Sequence, residues 1–117
     1  MKGYVYLLCD PVNEAYKIGV TRSLVSKRMK KLQTGNATEL HMVNYYECEH
    51  PFRIESMLHS RFFSKNLLNE WFALDADDVS SFIDECRKAE ENINALKSNP
   101  FFSKLLNSES LTASMPE

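Results

Sequence analysis

Tyr4-Val5-Tyr6-Leu7-Leu8-Cys9, followed after Asp10-Pro11-Val12-Asn13-Glu14 by Ala15-Tyr16-Lys17-Ile18-Gly19-Val20-Thr21, is the stretch whose reading decides the fold. Both runs are rich in aromatic and β-branched residues, the composition of strands. Between them Pro fixes its φ, and Asp and Asn tolerate tight backbone geometry, so the connection is a turn. Two such runs joined by a short polar turn read as an antiparallel hairpin. Alternation puts Tyr4, Tyr6 and Leu8 on one face and Val5, Leu7 and Cys9 on the other.

Working outward, Thr21 or Ser23 is placed to cap a helix running to about Gln33. Its apolar positions Leu24, Val25, Met29 and Leu32 form one stripe, and Arg28 falls on that stripe. A charge aimed at the sheet side needs a partner or an open cleft. Gly35-Asn36 ends the helix, and His41 to Cys48 reads as a third strand. Pro51 suits the first turn of a second helix over about 52 to 65, with Ile54, Leu58, Arg61 and Phe62 on one side and Glu55, His59 and Phe63 on an adjacent one. Glu70 to Leu74 is expected as a short strand, and Ala76 to about Ser98 as one long helix stopped by Pro100. The order β-β-α-β-α-β plus a C-terminal helix is an α+β fold, a small antiparallel sheet flanked by helices.

The chain has 117 residues, long enough for one domain and too short for two ordinary ones. Its 44% apolar and 26% charged residues place it in the globular class, and a net charge of -2 does not decide for or against nucleic acid. The distribution of charge is polarised. No acid lies between Glu14 and Glu39, where Lys17, Arg22, Lys27, Arg28, Lys30 and Lys31 all fall, whereas residues 70 to 91 are acid-rich. Phosphate is attracted to the first part only, although Lys27, Lys30 and Lys31 equally suit the solvated face of a helix. Three widely spaced cysteines, Cys9, Cys48 and Cys86, suggest neither a disulfide framework nor a Cys-rich zinc site, and are expected as buried thiols in a reducing cytoplasm. No signal peptide and no transmembrane helix is expected.

Glu55 and His59 stand four residues apart, so on a helix they project together and can bind one divalent ion or share a proton; a solvated surface pair is the commoner use of that spacing. Arg28 is the strongest single candidate, because guanidinium matches phosphate oxygens with parallel donors and stays charged. A structural salt bridge to Glu55 or another acid competes with that role. Tyr6 is either a core aromatic or, with its hydroxyl in a cleft, a group that orients or deprotonates water. Lys17 shares a side of its strand with Gly19 and Thr21, as an exposed edge lysine or a point charge near phosphate. Gly19 fits a close approach of substrate or backbone. Trp71 and Phe72 read as core, and His41 and His50 as ordinary surface or strand residues.

In this order and spacing, Tyr4-Val5-Tyr6, Lys17-Ile18-Gly19, Arg28, Glu55 with His59, and Glu70-Trp71-Phe72 resemble the GIY-YIG nuclease superfamily, particularly its phage-type branch with KIG in place of YIG. The resemblance covers about residues 3 to 74 and implies a compact nuclease domain over 1–75. It implies that Glu55 holds a single Mg²⁺ or Mn²⁺, that Tyr6 activates water and that Arg28 neutralises phosphate charge. Lys17 falls at the first Tyr of the second signature and Gly19 at its Gly; His59 is a catalytic candidate, and His59 and Glu70 together are branch-specific site members. The implied partner is DNA, with Arg22, Lys27, Lys30 and Lys31 along it and Thr21 as a further candidate. Three departures stand out. Gly3 precedes Tyr4 where the family has Gly at position 4, Lys17 replaces Tyr, and Asn69 is the one available match to the family's downstream Asn.

Two other functions compete with a metal-dependent endonuclease. One is a catalytically silent nucleic-acid-binding or protein-interaction module on the same scaffold. The other is an interaction protein working through its C-terminal region, 76–107, which packs on the domain or at a homodimer contact. Val79, Phe82, Cys86, Ala89, Ile93 and Leu96 follow a three-four spacing compatible with either. Phe101, Phe102, Leu105 and Leu106 add apolar area that needs burial, and residues 108–117 read as a loose tail.

Overall fold

The hairpin forms as its composition requires. Strand β1 (Gly3–Asp10) pairs antiparallel with β2 (Ala15–Thr21), with Tyr6 opposite Gly19 and Leu8 opposite Lys17. The Asp10 carboxylate closes the turn, accepting from the Asn13 side-chain amide at 2.7 Å and from the Thr38 hydroxyl at 3.0 Å. The computed structural model describes residues 2–97 and 99–100. Beyond the hairpin come helix α1 (Val25–Thr34), strand β3 (His41–Cys48), helix α2 (Pro51–Arg61), strands β4 (Asn66–Leu68) and β5 (Trp71–Phe72), and helices α3 (Ala76–Ser80) and α4 (Phe82–Lys97).

The five strands make one antiparallel sheet in the order β3-β1-β2-β5-β4. Its two faces follow the alternation read from the sequence. Val5, Leu7, Ile18 and Val20 face α2 and α4, in a core completed by Ile54, Leu58, Phe62, Phe72, Phe82, Cys86, Ala89 and Ile93. Tyr6 and Leu8 face the other way with Leu40, under Met29 and Leu32 of α1. Each large apolar side chain so buried contributes about 1.5–3 kcal/mol. The α+β fold with a C-terminal helix is therefore the one observed.

Several local expectations are corrected. Neither Thr21 nor Ser23 caps α1; its N-cap is Leu24, without a side-chain bond, because the two hydroxyls bond each other at 3.0 Å in the turn before it. Leu24 is exposed and lies off the half-buried stripe of Met29 and Leu32. Helix α2 ends at Arg61 and gives way to a 3₁₀ turn over Phe63–Lys65, leaving Phe63 exposed. The strand after Glu70 is only two residues long, and β4 was not foreseen. The long C-terminal helix is two helices meeting at Ser81. The first starts on a capping box in which Asp75 and Asp78 each accept from the other's backbone N–H. Cys48 and Cys86 are buried free thiols, whereas Cys9 is only half-buried. The stripe Phe82, Cys86, Ala89 and Ile93 is spent on the chain's own core. Residues 101–117, with Phe101, Phe102, Leu105, Leu106 and the expected tail, lie outside the described residues. Among the described residues no helix is long and apolar enough to cross a membrane.

Candidate metal and phosphate site

The site exists because β5 is short. It pairs with β2 only at Tyr16 and Lys17, and Ile18 N–H then donates to the Glu70 carbonyl at 3.1 Å. Past that point β2 has no strand on its outer side among the described residues. Side chains of α2, on one face of the sheet, can thus meet those of α1, on the other. Arg28, Glu55, His59, Asn69 and Glu70 line one open cleft of about 690 Å³.

Each wall has its own cause. Glu55 and His59 sit one turn apart on α2, beside the buried Ile54 and Leu58 that fix the helix on the sheet. His59 Nε2 lies 2.9 Å from the Ile18 carbonyl oxygen; since a carbonyl only accepts, Nε2 is the nitrogen that donates, and in the neutral ring the lone pair is on Nδ1. The imidazole also leans on the Phe72 ring, 5.0 Å between centroids. Asn69 and Glu70 form the two-residue link from β4 to β5, with Asn69 at φ 52°, a left-handed conformation that Asn tolerates better than most residues. That turn delivers both side chains to the cleft.

Behind the cleft lies Tyr6, fully buried, with its hydroxyl accepting from Arg28 Nε at 3.5 Å. Burial pushes the phenol above its ordinary value; the bond and charge of Arg28 oppose this, and the charges of Glu70 and Glu55 add to it. Gly19 is the residue that makes room. A Cβ there would lie 2.9 Å from Tyr6 Cε1 and nearer still to the hydroxyl. The group that fills the space over Gly19 is the Tyr6 side chain, where the sequence reading expected substrate or another backbone.

Lys17 is buried, not an exposed edge residue. Its Nζ bonds Glu70 Oε2 at 3.0 Å and lies 5.8 Å from the centre of the Trp71 ring. It is absent from the cleft lining and acts on the cleft through Glu70. Burial pushes the Glu70 carboxyl up, but hydrogen bonds with Glu55 and from Lys17, with the nearby positive charge, outweigh it and leave the group below its ordinary range. Two carboxyl groups in hydrogen-bond contact hold a proton between them, the alternative to a bound cation. One oxygen of Glu55, one of Glu70 and one nitrogen of His59 all lie within 4.8 Å of one another, a donor set that fits a divalent ion.

The remaining candidates lie outside the cleft. The Thr21 hydroxyl is used in the turn with Ser23, and Arg22 sits over the Phe52 ring at 4.9 Å. Lys27, Lys30 and Lys31 are exposed on α1. Asn69, counted among the departures from the family pattern, lines the cleft, while the pairing of Lys17 with Glu70 and Trp71 is not readable from the sequence. The repeat of an apolar pair, a polar pair and an apolar pair in Leu67 to Phe72 was the available signal for the hairpin that joins them.

The chain is thus a small antiparallel sheet with helices on both faces and a cleft that holds a guanidinium beside carboxylates and an imidazole. The T5orf172 domain matches residues 3–87, and the chain belongs to that family, a phage-associated domain related to nuclease-like folds. No curated protein and no solved structure matches the chain.

Proposed function

We propose that this chain is a metal-dependent endonuclease of the GIY-YIG type, hydrolysing phosphodiester bonds of DNA. The reading is supported above all by one observation, the meeting of Arg28 with Glu55, His59 and Glu70 around a single open cleft. Glu55 would hold Mg²⁺ or Mn²⁺, which when bound would supply Lewis-acid charge to the phosphate and the leaving oxygen. Arg28 offers donors to the phosphate oxygens where negative charge develops. Tyr6, in its phenolate form, takes the proton of the attacking water at its oxygen and becomes the neutral phenol, with Arg28 beside it opposing the rise in pKa that burial imposes. Lys17 keeps Glu70 ionised and in place. The exposed Lys27, Lys30 and Lys31, with Arg22, attract the DNA backbone.

The test is digestion of plasmid and single-stranded DNA with Mg²⁺, Mn²⁺ or chelator. Wild-type protein cuts only with metal, and Glu55→Ala, folded by circular dichroism, does not cut. Salt-sensitive DNA binding with no cutting by either protein would instead establish the silent binding module.

A further inference from the structure

We infer that the cleft binds its metal through three side chains, Glu55, His59 and Glu70, and therefore takes a first-row transition ion in preference to Mg²⁺. The inference rests on the metal reading made above and goes past the single carboxylate assigned there. An ion held by Glu55 alone would be all-oxygen in its protein ligands, the environment that suits Mg²⁺ with its retained waters. Adding an imidazole nitrogen changes the preference, because nitrogen donors favour Mn²⁺ and the later divalent ions over Mg²⁺.

The imidazole is built for that use. Its Nε2–H is spent on the Ile18 carbonyl at 2.9 Å, a backbone acceptor outside the cluster, which orients the ring and selects the neutral tautomer whose metal-donor nitrogen is Nδ1. Donation of the second ring N–H to a backbone carbonyl is the usual outer-shell support of a metal-bound histidine. Glu70 is held in a similar way, one oxygen engaged by Lys17 at 3.0 Å, and its hydrogen bond with Glu55 sets the two carboxyl groups side by side where an ion can replace the proton between them. The three donor atoms lie within 4.8 Å of one another, against the roughly 3 to 4 Å between ligands of an ion with bonds near 2.1 Å. Small side-chain rotations close that gap. The rest of the coordination shell faces the open cleft, where water and a phosphate oxygen can enter.

Binding to the full chain is measured by loss of the free Mn²⁺ electron-spin-resonance signal and by competition with Mg²⁺, and the bound ion is examined for hyperfine coupling to nitrogen. Wild type binds Mn²⁺ at least about tenfold tighter than Mg²⁺ and shows one coupled nitrogen. His59→Gln and His59→Ala lose the coupling and most of the preference while retaining weak binding of both ions through the carboxylates. Equal affinity for the two ions without nitrogen coupling overturns the three-ligand site and leaves the Glu55 reading standing. No binding of either ion overturns both. Nitrogen-coupled Mn²⁺ in a protein that never cuts DNA upholds the metal site and sinks the nuclease reading.

Discussion

Gly19 and Tyr6 occupy one volume, and neither can be changed without the other. Gly19→Ala sets a methyl against the Tyr6 phenol, which is already fully buried and has no room to retreat. The expected cost is about 1–3 kcal/mol, read as a lower midpoint in urea, together with loss of cleavage because the hydroxyl is displaced from Arg28. Tyr6 itself makes a pH prediction. Burial raises its pKa, so at neutral pH the phenol is mostly protonated, and a base role uses the small deprotonated fraction. The cleavage rate should therefore rise through pH 7 to 9, by about tenfold per unit where this step limits. Tyr6→Phe should cut the rate and flatten the profile; a flat profile in the wild type would remove Tyr6 as the base. Candidate residues of this kind are legible as types in the sequence, since a Gly inside a strand and an Arg on an apolar stripe are anomalies there. Lys17 was not legible, because its partners Glu70 and Trp71 lie more than fifty residues away.

At the scale of elements, the short β4–β5 hairpin matters most. Asn69 holds a left-handed backbone at φ 52° and accepts, through its carbonyl, from the Asn66 amide at 2.8 Å. Asn69→Val is expected to lose about 1–2 kcal/mol in thermal or urea unfolding, whereas Asn69→Gly, free of the Cβ conflict, stays close to wild type. Cleavage lost in the glycine variant then reports on the Asn69 amide alone. The hairpin escaped the sequence reading because a strand of three residues and one of two carry too little periodicity, and Leu67 and Leu68 are exposed despite being apolar. The break at Ser81 escaped for a related reason. The apolar spacing continues through it while the backbone restarts, and only Asp75 and Asp78 mark the new helix start.

For the whole molecule, α4 belongs to the same core as the sheet, and the family match crosses residue 75 to reach 87. Ile93→Ala, at a fully buried position near the end of that helix, should cost about 2–5 kcal/mol in global unfolding. A local loss confined to α4, with the sheet unfolding at its wild-type midpoint, would show the helix to be an independent appendage. Stability should also fall in alkali. The hydrogen bond that Tyr46 donates to Glu90, and then burial, push its phenol up to about 12 from 10.0, and burial pushes the Cys48 thiol up to about 12 from 9.0. Cys86 is raised in the same direction, again by burial. Each group is neutral when folded and ionises earlier when unfolded, so the unfolded chain binds fewer protons as pH rises from about 9 to 12. Stability present below pH 9 is lost across that window. Urea midpoints at pH 8, 10 and 11 should drop in step, and less steeply in Tyr46→Phe.

Sequence by itself determined the hairpin, the order of the main elements, the two faces of the sheet and the one-turn spacing of Glu55 and His59, because all of these follow from local periodicity and turn chemistry. Only the tertiary structure decided that β5 stops after two residues and leaves the edge of β2 open. That gap brings helices from opposite faces of the sheet to one cleft, ties Lys17 to Glu70 and sets His59 Nε2 on the Ile18 carbonyl. The physical reason is range. A pattern of neighbours along the chain fixes where a side chain points from its own element, but the partner it meets depends on how far each distant strand continues to pair.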